Sequence, residues 1–233
     1  MLCIVYFGRS PLSIQVTLSY QLNSLLKATI RRLGDQTPEI VYVSDAGKVE
    51  TAYWKNVLRK FFVDGVRIKI TRVVDYYHAS ERLTTIADAL KLGKDKAKRK
   101  EWLKHVRWLL LQPGGHGRVL RSIAKMRALY GYTTSATENA EKAERYLRRY
   151  GRFMNYSELK SRGYPIGSGV VESACKQIVS ERMKLSGMRW LKEGGQRTMT
   201  LRCLLLSGIW ETIYEKWLAG KPAVNDLINP GTP

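Results

Sequence analysis

The first third of the chain alternates between short apolar runs and segments with helical spacing. The predicted order is strand, helix, strand, helix, strand, over residues 2–8, 14–33, 39–47, 48–63 and 66–78. The first run, LCIVYFG, is almost continuously apolar, which is typical of a strand buried on both faces. This order favours right-handed crossovers and a partly parallel sheet, so the pattern predicts an α/β fold.

Strand signals vanish from about residue 79 to residue 160. Helical spacing takes over in residues 101–112 and 136–153, with a break at PGGHG, residues 113–117. A further helix is predicted over 167–185 and a last one over 196–219. We expect the first part of the core in 1–78, a helical insertion in 79–160, the C-terminal helices of the core in 161–219 and a flexible tail in 220–233.

The charge of the chain is strongly basic and unevenly distributed. Forty Lys and Arg stand against twenty Asp and Glu, a formal charge of +20, and residues 91–160 carry 18 minus 6, or +12. Such an excess favours a polyanionic partner, and nucleic acid is favoured over a membrane because no apolar run reaches the roughly 18 to 20 residues of a membrane span. The apolar stretch at residues 1–8, MLCIVYFG, is too short for a signal peptide and lacks the basic residues that would precede its apolar part.

The three cysteines, Cys3, Cys175 and Cys203, are odd in number and have no CxxC spacing. They indicate a reducing compartment and exclude a disulfide framework or a zinc site as the organising feature. We interpret them as packing residues of a cytoplasmic, nucleoid-associated protein.

Two acids follow predicted strands, and the carboxyl ends of parallel strands meet at one edge of a sheet. Asp45 precedes Ala46 and Gly47, and its alternative role is to cap the next helix or to hold a turn. Asp75 and His78 form an Asp-x-x-His pair, which also fits a capping Asp followed by a first-turn His.

Glu172 lies behind two glycines in YPIGSGVVESACK, residues 164–176. An acid in a first helical turn is favourable to the helix dipole, and Lys176 stands at ion-pair spacing. A capping box starting at Ser168 would instead need its acid at Val171. The spacing leaves both the dipole role and a catalytic role open for Glu172.

Trp190 lies among glycines and bases in SGMRWLKEGGQR, a context that suits a nucleic acid strand, whereas the other tryptophans fall on apolar helical faces. The candidate DNA contacts are Lys176, Arg182, Lys184, Arg189 and Trp190.

The order of these motifs resembles the DDE transposases of bacterial insertion sequences, in particular the Kra-type group related to Mutator-like elements. The resemblance rests on VYVSDAG, VVDYYHASERL, a helical insertion and GSGVVESACKQIVSERMKLSGMRW followed by GGQ. It implies an RNase H-like fold and DNA cleavage and strand transfer with Mg²⁺ or Mn²⁺. Hard cations of this kind take oxygen ligands, and a two-metal site takes carboxylates from several elements.

The resemblance also assigns residues. Asp45 corresponds to the second aspartate and Glu172 to the glutamate of the metal site, while Asp75 and His78 become accessory catalytic candidates. It implies that the insertion holds double-stranded DNA, both transposon ends and target, and that the protein acts as a homo-oligomer.

One departure concerns the first aspartate of the family, which lies on the first strand, because residues 1–34 contain no Asp or Glu. We therefore expect a transposase truncated at its N-terminus, with an incomplete sheet, an exposed edge strand, poor solubility and little activity on its own. The alternatives are a non-catalytic DNA-binding remnant or regulator and an RNase H-like nuclease or resolvase.

Overall fold

The computed structural model describes residues 2–5, 18–34, 39–92, 95–206, 208 and 210–219. The chain forms two compact units. The first unit comprises Met1–Gly8 and Glu39–Ser168, and the second comprises Arg9–Pro38 and Gly169–Pro233. The predicted tail, residues 220–233, lies outside the described residues.

A parallel sheet of three strands forms the centre of the first unit. The strands are β1 (Leu2–Val5), β2 (Ile40–Ser44) and β5 (Ile70–Val74), in the order β1-β2-β5. Every residue of β2 is buried, as its continuous apolar run predicts for a strand with neighbours on both sides. The chain is mostly helical with a small sheet, and the predicted mixed α/β class is confirmed.

The segment between β2 and β5 differs from the prediction. Helix α2 (Lys48–Asn56) ends early, and a 3₁₀ turn (Leu58–Lys60) and a hairpin of β3 (Phe62–Val63) and β4 (Val66–Arg67) follow it. The helix predicted over 48–63 is therefore present but shorter, and the strand predicted over 66–78 is divided into β4 and β5, so the bounds of both predictions were wrong. The cause is Asp64-Gly65, whose φ angles of 49° and 81° build the two-residue turn that Asp-Gly favours in hairpins.

Helices occupy the rest of the first unit. They are α3 (Tyr76–Ala89), α4 (Lys96–Leu110), α5 (Gly115–Tyr130), α6 (Thr137–Tyr150) and α7 (Tyr156–Ser161). The predicted helical region and its break at 113–117 are confirmed. The strand predicted to continue to residue 78 ends at Val74, because Asp75 caps α3 instead.

Strands and helices of the first unit share one hydrophobic core. The buried cluster joins Val43 and Val73 of the sheet to Leu83, Ile123 and Leu147 of the helices. The boundaries predicted at residues 78 and 160 therefore fall inside this unit.

The second unit is helical in its described residues. Its helices are α1 (Leu18–Leu33), α8 (Gly169–Cys175), α9 (Glu181–Met183), α10 (Lys192–Leu206) and α11 (Trp210–Leu218), with a π-helical turn (Lys176–Ser180) between α8 and α9. The prediction of one last helix over 196–219 was wrong. The helix is interrupted between α10 and α11, where Gly208 has a φ of 69°, a conformation that an α-helix does not contain.

Two of the cysteines do not pack in the core. Cys175 and Cys203 carry exposed thiols, so the prediction that they are packing residues was wrong for this pair. Cys175 lies at a surface position of α8 and Cys203 at a surface position of α10.

Within the described ranges, no helix combines the length and the apolar character needed to cross a membrane.

Candidate functional site

The two predicted strand-end acids lie side by side in the first unit. Asp45 follows β2 and Asp75 follows β5, and the residues before them, Ser44 and Val74, are register partners in the parallel sheet. The amide of Asp75 also donates to the carbonyl of Ser44 over 2.9 Å. The prediction that both acids fall at carboxyl ends of neighbouring strands is therefore confirmed.

Asp75 is a buried capping residue, with 1% of its surface exposed. Its Oδ1 accepts hydrogen bonds from the amides of Tyr77 (2.7 Å) and His78 (3.4 Å), and its Oδ2 accepts from the amide of Ser168 (2.7 Å). The first two bonds cap α3, and the third fastens the chain just before α8 to the end of β5. Asp75 therefore has the capping role that the sequence left open, at the start of α3.

His78 lies in the first turn of α3 and its ring contacts a different acid. Its Nδ1 is 3.1 Å from Oε2 of Glu81, one helical turn further on, and only its backbone amide reaches Asp75. The Asp75 and His78 side chains are thus not hydrogen-bonded to each other in the way that a paired catalytic acid and base would be.

Asp45 has an exposed side chain at the equivalent position of the neighbouring strand. Its Oδ1 accepts from the amide of Gly47 over 3.0 Å, whereas the N-cap of α2 is Gly47, with no side-chain cap. Asp45 therefore holds the turn and does not cap the helix. The next residue, Ala46, is buried and has a φ of 58°, a left-handed conformation that costs a non-glycine residue roughly 1 kcal/mol or more.

Two tyrosines from the helical region fix the main chain at both strand ends. The hydroxyl of Tyr146 donates to the carbonyl of Asp45 over 2.7 Å, and that of Tyr156 donates to the carbonyl of Val74 over 2.8 Å. Burial raises the pKa of both phenols well above their ordinary value, so both remain donors at neutral pH. Sequence reasoning missed these residues, and no local signal identifies them, because their partners lie 101 and 82 residues away.

A buried arginine is linked through Thr51 to the strained turn after β2. Arg72 of β5 is 6% exposed, its Nη2 donates to Oγ1 of Thr51 over 3.0 Å, and Thr51 in turn donates to the carbonyl of Ala46 over 3.2 Å. The guanidinium lies over the ring of Phe153 at 4.6 Å, and burial lowers the pKa of Arg72. Its Nε has no hydrogen-bond partner in the described part of the chain, so cation–π contacts compensate for part of its burial.

The carboxylates of the first unit do not by themselves fit a two-metal site. Among the described residues, no group of three His, Cys, Asp or Glu side chains is arranged to hold a metal ion. Asp45 is exposed and suits a single oxygen ligand, whereas both oxygens of Asp75 face backbone amides. Glu172 lies in α8 of the second unit, so it and Asp45 belong to different units.

The residues predicted to contact DNA lie on one exposed segment of the second unit, after α8. All five are exposed: Lys176, Arg182, Lys184, Arg189 and Trp190. The indole of Trp190 is 37% exposed and its Nε1 donates to the carbonyl of Met183 over 3.1 Å. This hydrogen bond holds the ring close to the end of α9.

The first unit carries a basic surface that the sequence predicted only through the net charge of residues 91–160, without identifying individual residues. Apart from Arg127, which is ion-paired with Glu141 and Glu144, helices α4 and α5, here called the basic hairpin, carry seven exposed cations: Lys96, Lys98, Lys100, Lys104, Arg118, Arg121 and Lys125. Within the described ranges, no ion pair joins any of these seven cations to an acid. Lys96, Lys100, Lys104 and Trp108 stand four residues apart along α4, and Trp108 is 54% exposed. Because residues at this spacing share one face of a helix, the spacing is the sequence signal from which this basic surface could have been predicted.

Comparison of the chain with known protein families, with curated proteins and with solved structures finds no match.

Proposed function

We propose that this chain derives from a DDE transposase of bacterial insertion sequences and acts on double-stranded DNA, which it binds through the basic hairpin. The order of the motifs around Asp45, Asp75 and Glu172 supports the family, and acids at adjacent ends of parallel strands support an RNase H-like core. The observation that carries the proposal is the set of seven exposed cations on α4 and α5 that form no ion pair with an acid among the described residues.

The charge arrangement of the basic hairpin supports DNA as the partner. Lys96, Lys100 and Lys104 stand four residues apart, so they share one face of α4. That face ends at Trp108, whose ring stacks on His105 with 6.0 Å between the ring centres. A row of flexible ammonium groups suits phosphates along a backbone, and an exposed aromatic ring adds an apolar contact.

The proposal assigns metal ligation to Asp45 and Glu172, with Mg²⁺ or Mn²⁺ as the ion. The exposed carboxylate of Asp45 supports its part, and Asp75, enclosed by amides, is better explained as the residue that holds the edge of the site in place. A single exposed carboxylate does not make a two-metal site, so we assign no catalytic step to the first unit alone. DNA cleavage and strand transfer by a homo-oligomer remain the proposed ancestral activity.

The test is binding of the full chain to a labelled DNA duplex, measured by fluorescence anisotropy over a salt series. We expect a linear fall of log affinity with log salt, with a slope of about 0.9 for each phosphate contact. The triple variant Lys100→Gln, Lys104→Gln, Arg121→Gln should weaken binding and reduce the slope by roughly 2 to 3.

The matched control removes the same charge elsewhere in the first unit, at Lys91, Lys142 and Lys160, which are exposed and lie outside the two helices. We expect this variant to keep most of the wild-type slope. Equal losses of affinity in the two triple variants would show that DNA binding depends on the net charge of the chain and not on the basic hairpin. Binding that does not respond to salt would refute the proposal. Metal-dependent hydrolysis of branched DNA without end joining would indicate a resolvase instead.

A further inference from the structure

A cavity of about 410 Å³ lies in the first unit at the amino end of β5, away from Asp45 and Asp75. Its lining comes from α2, the 3₁₀ turn, β4 and the start of β5: Trp54, Leu58, Arg59, Arg67, Ile68, Lys69 and Ile70. Ile70 and Val74 are the two ends of β5, so roughly 13 Å of strand separates the cavity from the candidate site.

The lining combines an apolar floor with a cationic rim. Leu58, Ile68 and Ile70 are buried, with 1%, 5% and 9% of their surfaces exposed. Arg59, Arg67 and Lys69 are exposed, and the seven lining residues include no carboxylate. A ligand for this cavity therefore has a negative charge at one end and a flat or apolar group at the other.

Trp54 gives the cavity a fixed aromatic wall. Its ring is stacked on Tyr42, with 6.2 Å between the ring centres and an angle of 6° between the planes, and it meets Phe153 edge-on at 6.3 Å. The guanidinium of Arg72 lies 5.8 Å from its centre. Because these contacts hold the indole in place before a ligand arrives, ordering this wall costs little on binding.

One residue of the cationic rim, Arg67, is also held in place by local structure. Arg67 lies on the hairpin whose turn is set by Asp64-Gly65, and its Nη2 donates to the carbonyl of Arg59 over 3.3 Å. The amide of Ile68 donates to the carbonyl of Phe61 over 2.9 Å, which ties the hairpin to the 3₁₀ turn. The Arg67 guanidinium thus lies beside the backbone of Arg59, and a guanidinium group suits phosphate oxygens because it can donate two hydrogen bonds to them.

We propose that this cavity binds a nucleotide, with the phosphate at Arg59, Arg67 and Lys69 and the base against Trp54. The cavity volume falls within the roughly 300 to 1,000 Å³ of small-molecule sites, and aromatic rings bind bases of any sequence by stacking. The nucleotide comes either free or from an unpaired stretch of a strand. This site does not depend on the proposed transposase origin, since it uses neither Asp45 nor the basic hairpin.

The experiment is calorimetric titration of the full chain with thymidine monophosphate, thymidine, inorganic phosphate and a thymidine trinucleotide. We expect the monophosphate to bind more tightly than thymidine or phosphate alone. Arg59→Gln and Lys69→Gln should each weaken it roughly tenfold, because each removes a charged contact with phosphate. Both side chains are exposed, so neither change is expected to unfold the chain.

The matched control is Lys60→Gln, in the same 3₁₀ turn as Arg59 but outside the cavity lining. It should bind the monophosphate within about twofold of wild type, as expected for a surface change away from the site. A trinucleotide that binds more tightly than the monophosphate would identify a single strand as the source, and equal binding would identify the free nucleotide.

Two results would overturn the proposal. In the first, Arg59→Gln and Lys69→Gln bind the monophosphate no worse than Lys60→Gln does. In the second, inorganic phosphate binds as tightly as the monophosphate, which would remove any role for the base and for Trp54. The triple variant of the basic hairpin should retain monophosphate binding, so failure of the duplex interface and failure of this site are separable.

Discussion

Asp45 and Asp75 occupy equivalent positions in the sheet, each directly after one of two neighbouring parallel strands. Asp75 is 1% exposed and accepts from three backbone amides, whereas Asp45 is exposed and accepts from the amide of Gly47 two residues on. The comparison shows that an acid at a strand end is either a structural cap or an accessible carboxylate, and that its surroundings decide which.

The largest effect is expected for removal of the buried carboxylate. Asp75→Ala leaves the buried amide of Ser168 and the part-buried amide of Tyr77 without their acceptors, so we expect a loss of about 3 kcal/mol in the free energy of unfolding. Asp45→Ala removes one exposed bond to Gly47 and should cost about 0.5 to 1 kcal/mol. Urea unfolding followed by circular dichroism measures both.

An isosteric variant separates capping from charge at the buried position. Asp75→Asn keeps one carbonyl oxygen as an acceptor but places an amide nitrogen against another donor, so its cost should lie between those of the two alanine variants. If Asp45→Ala destabilised the chain as much as Asp75→Ala, the contrast between the two strand ends would be wrong.

The next largest effect is expected for the tyrosines that hold the two strand ends. Tyr156 is 0% exposed, so Tyr156→Phe leaves the carbonyl of Val74 buried without this donor and should cost about 1 to 3 kcal/mol. Tyr146 is less buried, and Tyr146→Phe should cost about half as much, since water can replace the lost bond to the carbonyl of Asp45. Chemical denaturation of the two variants tests this order, and equal costs would contradict it.

The last effect is a difference in alkaline stability. Burial raises the pKa of Tyr156 well above its ordinary value of 10.0, so the unfolded chain loses this proton at a lower pH than the folded chain does. The stabilising contribution is complete below pH 10 and is lost as the pH rises above it, at up to about 1.4 kcal/mol per pH unit for one group.

The matched variant for this effect is Tyr156→Phe, which has no phenol to titrate. Its unfolding free energy should fall less steeply than that of wild type when measured in steps from pH 9 to pH 11. Identical slopes for the two proteins would show that Tyr156 titrates alike in the folded and unfolded chains.

Several parts of the fold were predictable because they depend on neighbours along the chain. Apolar runs located β2 and β5, and helical spacing located the helical region of residues 79–160, although α3 begins three residues earlier, at Tyr76. The hairpin was missed although Asp64-Gly65 between apolar residues is its ordinary local signal. The predicted final helix is too long because Gly208 lies inside an apolar pattern, and such a pattern does not show that this glycine adopts a positive φ of 69°.

Local sequence patterns established the order of β1, α1, β2, α2 and β5, the presence of an acid after β2 and after β5, and the basic character of the helical region. Packing between distant parts of the chain determines that Asp75 is enclosed and Asp45 exposed, that two tyrosines hold the strand ends, and that Trp54 lines one cavity with three cations. The reason is that local pattern follows from contacts within a few residues, whereas the amide of Ser168 reaches Asp75 from 93 residues away. Which distant residues come into contact depends on the packing of the whole unit, and the local periodicity of apolar residues carries no information about these contacts.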